Sequence, residues 1–199
     1  EVEYAAGARG MDEGTLTVGE NNIKANGFYA GKDYFNIFTY PLIDGNKTQV
    51  LLDKNAIVIS QDLAMRLFKT TENVIGKTIE FQHEKHFQVS GIFRDIPPNS
   101  SKQFDFVFSF EAYKEVNSSV LDWKYNTSST YLVLKKGTDV NRFNQKIAGM
   151  ISSHTGDAFR TLFLRSYSSA YLYGRYDNGV QVGGRIEYVR LLSFIAIFI

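Results

Sequence analysis

Residues 55–68 read NAIVISQDLAMRLF, and this stretch decides the fold class. Ala56 to Ser60 is a β-branched strand, and Ser60 is placed to cap a helix. Gln61 to Phe68 then sets Leu63, Ala64, Leu67 and Phe68 on one side of that helix, at the 3.6-residue period. Strand and helix are joined with no linker, so the domain mixes both element types.

Toward the C-terminus, Thr78 to Gln82 and Phe87 to Phe93 read as a hairpin across a polar turn, ended by Pro97 and Pro98. In FDFVFSF, residues 104–110, Phe104, Phe106, Phe108 and Phe110 alternate with Asp105, Val107 and Ser109. That is strand period with one aromatic face, expected to pack a core rather than line a ligand groove. A helix over Phe110 to Val116, a strand over Tyr131 to Lys135 and a helix over Val140 to Ile151 come next. The last carries Phe143, Ile147 and Ile151 at i, i+4 and i+8. Phe159 to Tyr173 is strand-like. Toward the N-terminus, Val2 to Ala6, Thr15 to Val18 and Ile23 to Tyr29 read as strands between Gly-rich turns, and Tyr34, Phe35 and Phe38 share a face of a short helix that stops before Pro41. Helices and strands mix without strict βαβ alternation, which gives an α+β class.

The chain has 199 residues, enough for one large domain or two small ones, and is 44% hydrophobic, too little for a polytopic membrane protein. A net charge of +1 without any dense Lys/Arg block argues against a nucleic-acid partner. No cysteine is present, which removes disulfides, a thiol nucleophile and thiolate metal ligands.

The side chains that could carry chemistry are few. His83 and His86, with Glu84 between them, could grip a metal from the hairpin tip, but two ligands without a third anchor read as solvated turn residues. His154 is isolated. Ser60 lies between a strand and a helix but lacks the glycines of a nucleophile elbow, so it reads as a cap. Asp95 and Asp105 could be posed as a carboxylate pair; Asp95 reads instead as a turn residue before Ile96-Pro97-Pro98. No glycine-rich loop is followed by the Lys-Ser/Thr of a phosphate site. The expectation is no catalytic residue, no metal ligand and no cofactor.

YVRLLSFIAIFI, residues 188–199, has no charge after Arg190. A bilayer core takes roughly 20 apolar residues to span, and this run supplies under half. It reads either as a last core element or as the first turns of a transmembrane helix, and the uncapped IAIFI end favours the helix.

Taken in order, NGFYAGKDYFNIFTYPLIDGN (26–46), AIVISQDLAMRLF (56–68), VIGKTIEFQHEKHFQVSGIFRDIPPNS (74–100) and RIEYVRLLSFIAIFI (185–199) resemble the MacB-like periplasmic core domain of FtsX-like ABC transporter permeases. The forms ANGFYAGKDYF and DIPPNSS are similar to those of Bacteroidota. The resemblance covers nearly the whole chain from Asn26, with residues 1–25 matching more loosely. It implies a domain held between two transmembrane helices, in the periplasm of a bacterial inner-membrane protein. It also implies a porter-like subdomain from residues 1–54 and 94–187, an inserted small α/β subdomain over 55–93, and a transmembrane helix beginning in 188–199. Arg185 and Arg190 would then lie outside the membrane, against the positive-inside tendency, which binds weakly for large translocated domains. The implied function is non-catalytic: coupling of ATP hydrolysis, performed by a separate ABC ATPase subunit or segment, to periplasmic movement for export or mechanotransmission. A second copy or a related permease, and a periplasmic adaptor protein, are the implied partners. A ligand-binding sensor ectodomain is the alternative of a different class, with a hydrolase a distant third.

Overall fold

The computed structural model describes residues 1–177 and 179–198. They divide into two compact units, Glu1–Lys136 and Gly137–Ile199.

The first unit runs β1 (Val2–Gly10), β2 (Gly14–Val18), β3 (Asn21–Ala25), β4 (Gly27–Ala30), α1 (Tyr34–Ile37), β5 (Leu42–Asp44), β6 (Ala56–Ser60), α2 (Gln61–Phe68), β7 (Thr78–Phe81), β8 (Lys85–Phe93), β9 (Phe106–Ser109), α3 (Phe110–Val116) and β10 (Ser129–Leu134). All ten strands form one sheet in the order β10-β1-β4-β9-β6-β8-β7-β2-β3, with β5 joined at β8. Pairing is parallel for β4 with β9 and for β6 with β8, and antiparallel elsewhere. The α+β class is therefore the observed one.

Both faces of this sheet are covered, and β6 shows it most directly: all five of its residues are buried. Alternation sends Ile57 and Ile59 into a core with Leu63, Leu67, Phe106 and Phe108, while Val58 joins Tyr34, Phe35, Phe93 and Val107 in a second core. Burying one such side chain stabilises by about 1.5–3 kcal/mol. The exposed ion pair on α2, Arg66 Nε to Asp62 Oδ2 at 2.7 Å, contributes at most about 0.5 kcal/mol. Apolar burial thus dominates the placement of α2.

The side chains of β8 change phase partway along the strand. The register runs Ile57 opposite Val89 and then Val58 opposite Gly91, so Ser90 is an extra residue, a β-bulge. Phe87 and Val89 face the first core; after the bulge Ile92 does, and Phe93 faces the second. The strand also changes its other neighbour there, from β7 over Lys85–Gln88 to β5 at Ile92–Phe93. The hairpin expected from the sequence is real but pairs only as far as Gln88. Ser90 Oγ donates to the carbonyls of Val50 and Ile57. Gly91 leaves room for the crossing, since a Cβ there would lie 2.8 Å from Val50 Cγ1 and 3.2 Å from Val58 Cγ1.

Three other expectations change in this unit. Strand Ile23–Tyr29 is divided at Asn26, whose carbonyl accepts from the amides of Asp105 and Phe106 at 2.7 and 3.3 Å. The phenylalanine stripe is broken up: β9 starts at Phe106, Phe104 precedes it and packs in the second core, and Phe110 opens α3 with its ring over Gly7. Strand Tyr131–Lys135 begins two residues earlier and ends at Leu134.

The second unit holds α4 (Val140–Ile147), α5 (Met150–Thr155), the hairpin β11 (Arg175–Asp177) with β12 (Val180–Gly183), and α6 (Ile186–Ile197). Asp139 caps α4 by accepting from the amides of Asn141 and Arg142. The single helix expected over 140–151 is two, because Gly149 at the junction costs about 1 kcal/mol within a helix, and Leu162 N donates to the freed carbonyl of Ala148 at 3.4 Å. The strand expected over 159–173 is absent. Phe159 N donates to Asp157 Oδ1, Ser169 Oγ to the Ser166 carbonyl and Tyr173 N to the Ser169 carbonyl, and these local bonds offer the backbone turns instead of a ladder. The Asp157 carboxyl is held below its ordinary range chiefly by the Arg160 guanidinium.

Candidate functional site

Two places in the fold gather the side chains that the sequence singles out. The first is a cleft of about 190 Å³ in the first unit, lined by Asn26, Ser60, Asp62, Asp95, Gln103 and Asp105 among others. It forms where β6 passes into α2 and where the chain approaches β9. Ser60 is buried and its Oγ accepts from Leu63 N at 3.1 Å, the expected N-cap. Asp95 Oδ1 accepts from Asp62 N at 2.8 Å, so a second side chain caps the same helix end. Asp105 Oδ2 accepts from Asn26 N at 2.9 Å, and its Oδ1 is 4.0 Å from Arg66 Nη2.

The fold thus brings Ser60, Asp95 and Asp105 together, though each is committed to a backbone amide. No histidine lines the cleft, so Ser60 has no adjacent base to activate it. The arrangement stitches three chain segments together. The doubled cap escapes sequence reasoning, since Asp95 lies 33 residues from the amide it receives.

The histidines lie elsewhere. Gln82 and His83 have φ of 54° and 57°, and Glu84 N donates to the Phe81 carbonyl at 3.1 Å, a type I′ turn. His83 is exposed there, with Nδ1 3.9 Å from Glu80 Oε2. His86 is exposed on β8, and His154 lies in the last turn of α5 with Nδ1 2.8 Å from the Met150 carbonyl. Among the described residues no group of three or more His, Cys, Asp or Glu side chains could hold a metal ion.

The second place is α6. Every residue from Glu187 to Phe198 is exposed, Leu192 to 64% and Phe198 to 86%. Leu191, Leu192, Phe194, Ile195 and Ile197 succeed one another round the helix, so the apolar surface is a sleeve rather than a stripe. The one hydroxyl after Arg190 is internally satisfied: Ser193 Oγ donates to the Val189 carbonyl at 2.8 Å. Twelve residues give a rod of about 18 Å. Among the described residues no helix is long and apolar enough to cross a membrane.

The base of α6 is fastened to its own unit. Ile186 N donates to the Leu172 carbonyl at 3.1 Å. Gly184 has φ +151°, and a Cβ there would come within 2.5 Å of the Leu172 oxygen. The Arg185 guanidinium lies 4.6 Å from the Tyr171 ring centre, and Arg175 Nη1 lies 3.8 Å from Glu187 Oε2. Sequence reasoning found the apolar run but missed this clamp, whose one local signal is the Gly183-Gly184 pair before the helix.

Comparison with known proteins bears on the whole chain. No curated protein matches its sequence. Solved structures share the fold, among them these three. One is a domain of a Porphyromonas gingivalis protein assigned as a permease, at TM-score 0.63 and 20% identity, covering 84% of this chain and 81% of that one. Another is the periplasmic region of MacB from Actinobacillus actinomycetemcomitans, at 0.55 and 16%, covering 78% and 69%. The third is the extracellular domain of the noncanonic ABC-type transporter YknZ from Gram-positive bacteria, at 0.57 and 15%, covering 82% of each chain. Residues 1–150 match the model of the MacB-like periplasmic core domain. With that match over three quarters of its length, the chain belongs to the MacB-like periplasmic core domain family.

Proposed function

We propose that this domain is a non-catalytic transmitter: it turns shifts of membrane helices, driven by ATP at a separate cytoplasmic ATPase, into movement in the periplasm, for export or for mechanical work on periplasmic partners. The observation that carries the reading is α6, exposed from Glu187 to Phe198 and apolar on all sides after Arg190. Such a helix suits a lipid surrounding, and its fastened base would pass a displacement on to the folded unit. In this reading residues 188–199 begin a transmembrane helix, and the domain sits on the periplasmic side of the inner membrane.

The working unit would be two copies, or one copy and a related permease, that change separation with the nucleotide state of the ATPase; a periplasmic adaptor would complete the assembly. The segments 1–54 and 94–187 would act as the porter-like part and 55–93 as the small α/β part. Backbone pairing joins 55–93 to β2 and β9, so that boundary would mark a change of role rather than a gap in contacts.

The test uses the full permease, with any cysteines outside this segment removed. Spin labels are placed at Lys114 in the first unit and Gln145 in the second, and distances between copies are compared without nucleotide and with ATP trapped in a hydrolysis-deficient ATPase. The distributions should shift at both sites. Identical distributions would replace the transmitter by a static docking platform.

A further inference from the structure

We propose that Tyr171, Arg185, Tyr188 and Arg190 form a collar that seats on the headgroups of an anionic phospholipid surface and fixes how deeply α6 enters it. The inference rests on the reading of α6 as a membrane helix, and adds which residues meet the surface and what they bind.

The collar is set by the helix geometry. At 100° per residue, Arg185 and Tyr188 share one side of α6, and Arg190 lies about 140° round from Arg185, so the polar groups surround the rod. Arg185 to Arg190 spans five residues, about 7.5 Å of rise. One headgroup layer is about 5–8 Å thick. Beyond Arg190 the described sequence carries no charge, and the one hydroxyl is turned back on its own helix. The polar belt therefore matches one headgroup layer, and the apolar sleeve begins where acyl chains would.

The chemistry of the belt selects phosphate. The Arg185 guanidinium carbon lies over the Tyr171 ring, 4.6 Å from its centre; a guanidinium carries more N–H donors than a ring contact occupies, so donors stay available to an oxyanion. Tyr188 is 70% exposed and supplies the amphipathic ring found at membrane interfaces. The only acid of α6, Glu187, lies 3.8 Å from Arg175 Nη1, and this pairing offsets part of its repulsion from an anionic surface. A protein groove would cover one face of α6; its apolar side chains lie on every face. Because Tyr171 and Leu172 belong to the turn that binds the Ile186 amide, the collar is fixed to the folded unit rather than hanging from it.

The test uses the 199-residue chain with vesicles of equal parts phosphatidylglycerol and phosphatidylcholine, and with phosphatidylcholine alone. Arg185→Gln with Arg190→Gln should weaken partitioning to the anionic vesicles about 25-fold, roughly 5-fold per arginine, and change the neutral vesicles little. Arg190→Gln alone, which leaves the Tyr171 clamp intact, should give the single step. In a Trp123→Phe background, Tyr188→Trp should be quenched most by lipids brominated nearest the headgroup. Unchanged partitioning of the arginine variants, or strongest quenching by deeply brominated lipids, would overturn the collar while a binding parent chain keeps α6 a membrane helix. A parent chain that binds neither vesicle would remove that reading as well. Far-UV circular dichroism of each variant confirms that the fold is retained.

Discussion

In β6, Ala56, Ile57, Val58, Ile59 and Ser60 are all buried; in α6, Leu191, Leu192, Phe194, Ile195 and Ile197 are all exposed. The two segments are built from nearly the same side chains, so hydrophobicity does not separate them. Backbone bonding does. A strand satisfies its amides and carbonyls only through neighbours, and β6 has β8 on one side and β9 on the other. A helix closes its bonds within itself and can leave a fold with its apolar side chains uncovered, which is the condition for entering lipid. The same chemistry therefore makes a core in one place and a departure from the core in the other.

Replacing one phenylalanine in each setting tests this contrast most strongly. Phe106→Ala empties a fully buried site and should cost about 3–5 kcal/mol in urea unfolding, with Leu67→Ala close behind at about 2–5 kcal/mol. Phe194→Ala, 63% exposed in the parent, should move the unfolding free energy by less than about 0.5 kcal/mol. Equal losses at Phe106 and Phe194 would mean that α6 is packed in solution, and the contrast would fail.

Gly91→Ala sharpens it from the side of the sheet. The new methyl would press on Val50 and Val58 at the β8 crossing and should cost about 1–3 kcal/mol. Ser60→Ala removes one of the two caps on α2 and should cost about 1 kcal/mol. With Asp95 also replaced by Ala the loss should exceed the sum of the singles, because each acid or hydroxyl covers for the other at the same helix end. Removing residues 188–199 should have the smallest thermodynamic effect, leaving the melting temperature of the remainder nearly unchanged while reducing self-association in light scattering. A marked fall in melting temperature would show that the tail belongs to a core.

Much of the first unit is legible in the sequence because local rules and tertiary packing agree there. The strand, cap and helix of residues 55–68 satisfy propensity, period and capping at once, and the structure places them so. The hairpin turn at Gln82-His83 needs positive φ in two non-glycine residues, yet pairing on both sides holds it. The misreadings fall where a distant segment decides. Asn26 is bound to Asp105, and this divides a strand that alternation alone would continue. Phe104 and Phe106 alternate in sequence like one face but lie in different cores, because the strand begins between them. In the second unit the Ser-rich run 166–169 has aromatic neighbours of strand character, but its hydroxyls and turns compete for the backbone. The polar cleft was legible as single residues and not as a constellation, since its members are brought together by sheet order.

The extra residue at Ser90 works as a dislocation does in a crystal: one inserted row puts everything beyond it out of phase with everything before. Phe87 and Val89, odd-numbered, face the first core before the fault, and Ile92, an even one, faces it after. Any comparison of related chains by inward and outward alternation will therefore be correct on one side of position 90 and inverted on the other unless the relative carries the same fault. A relative without it would differ from this chain by a one-residue gap in the middle of a strand, where gaps are ordinarily refused. Directed recombination between such chains should tolerate a joint on either side of the fault and fail when the joint removes it, because the second half of the strand would then offer each core the side chains meant for the other.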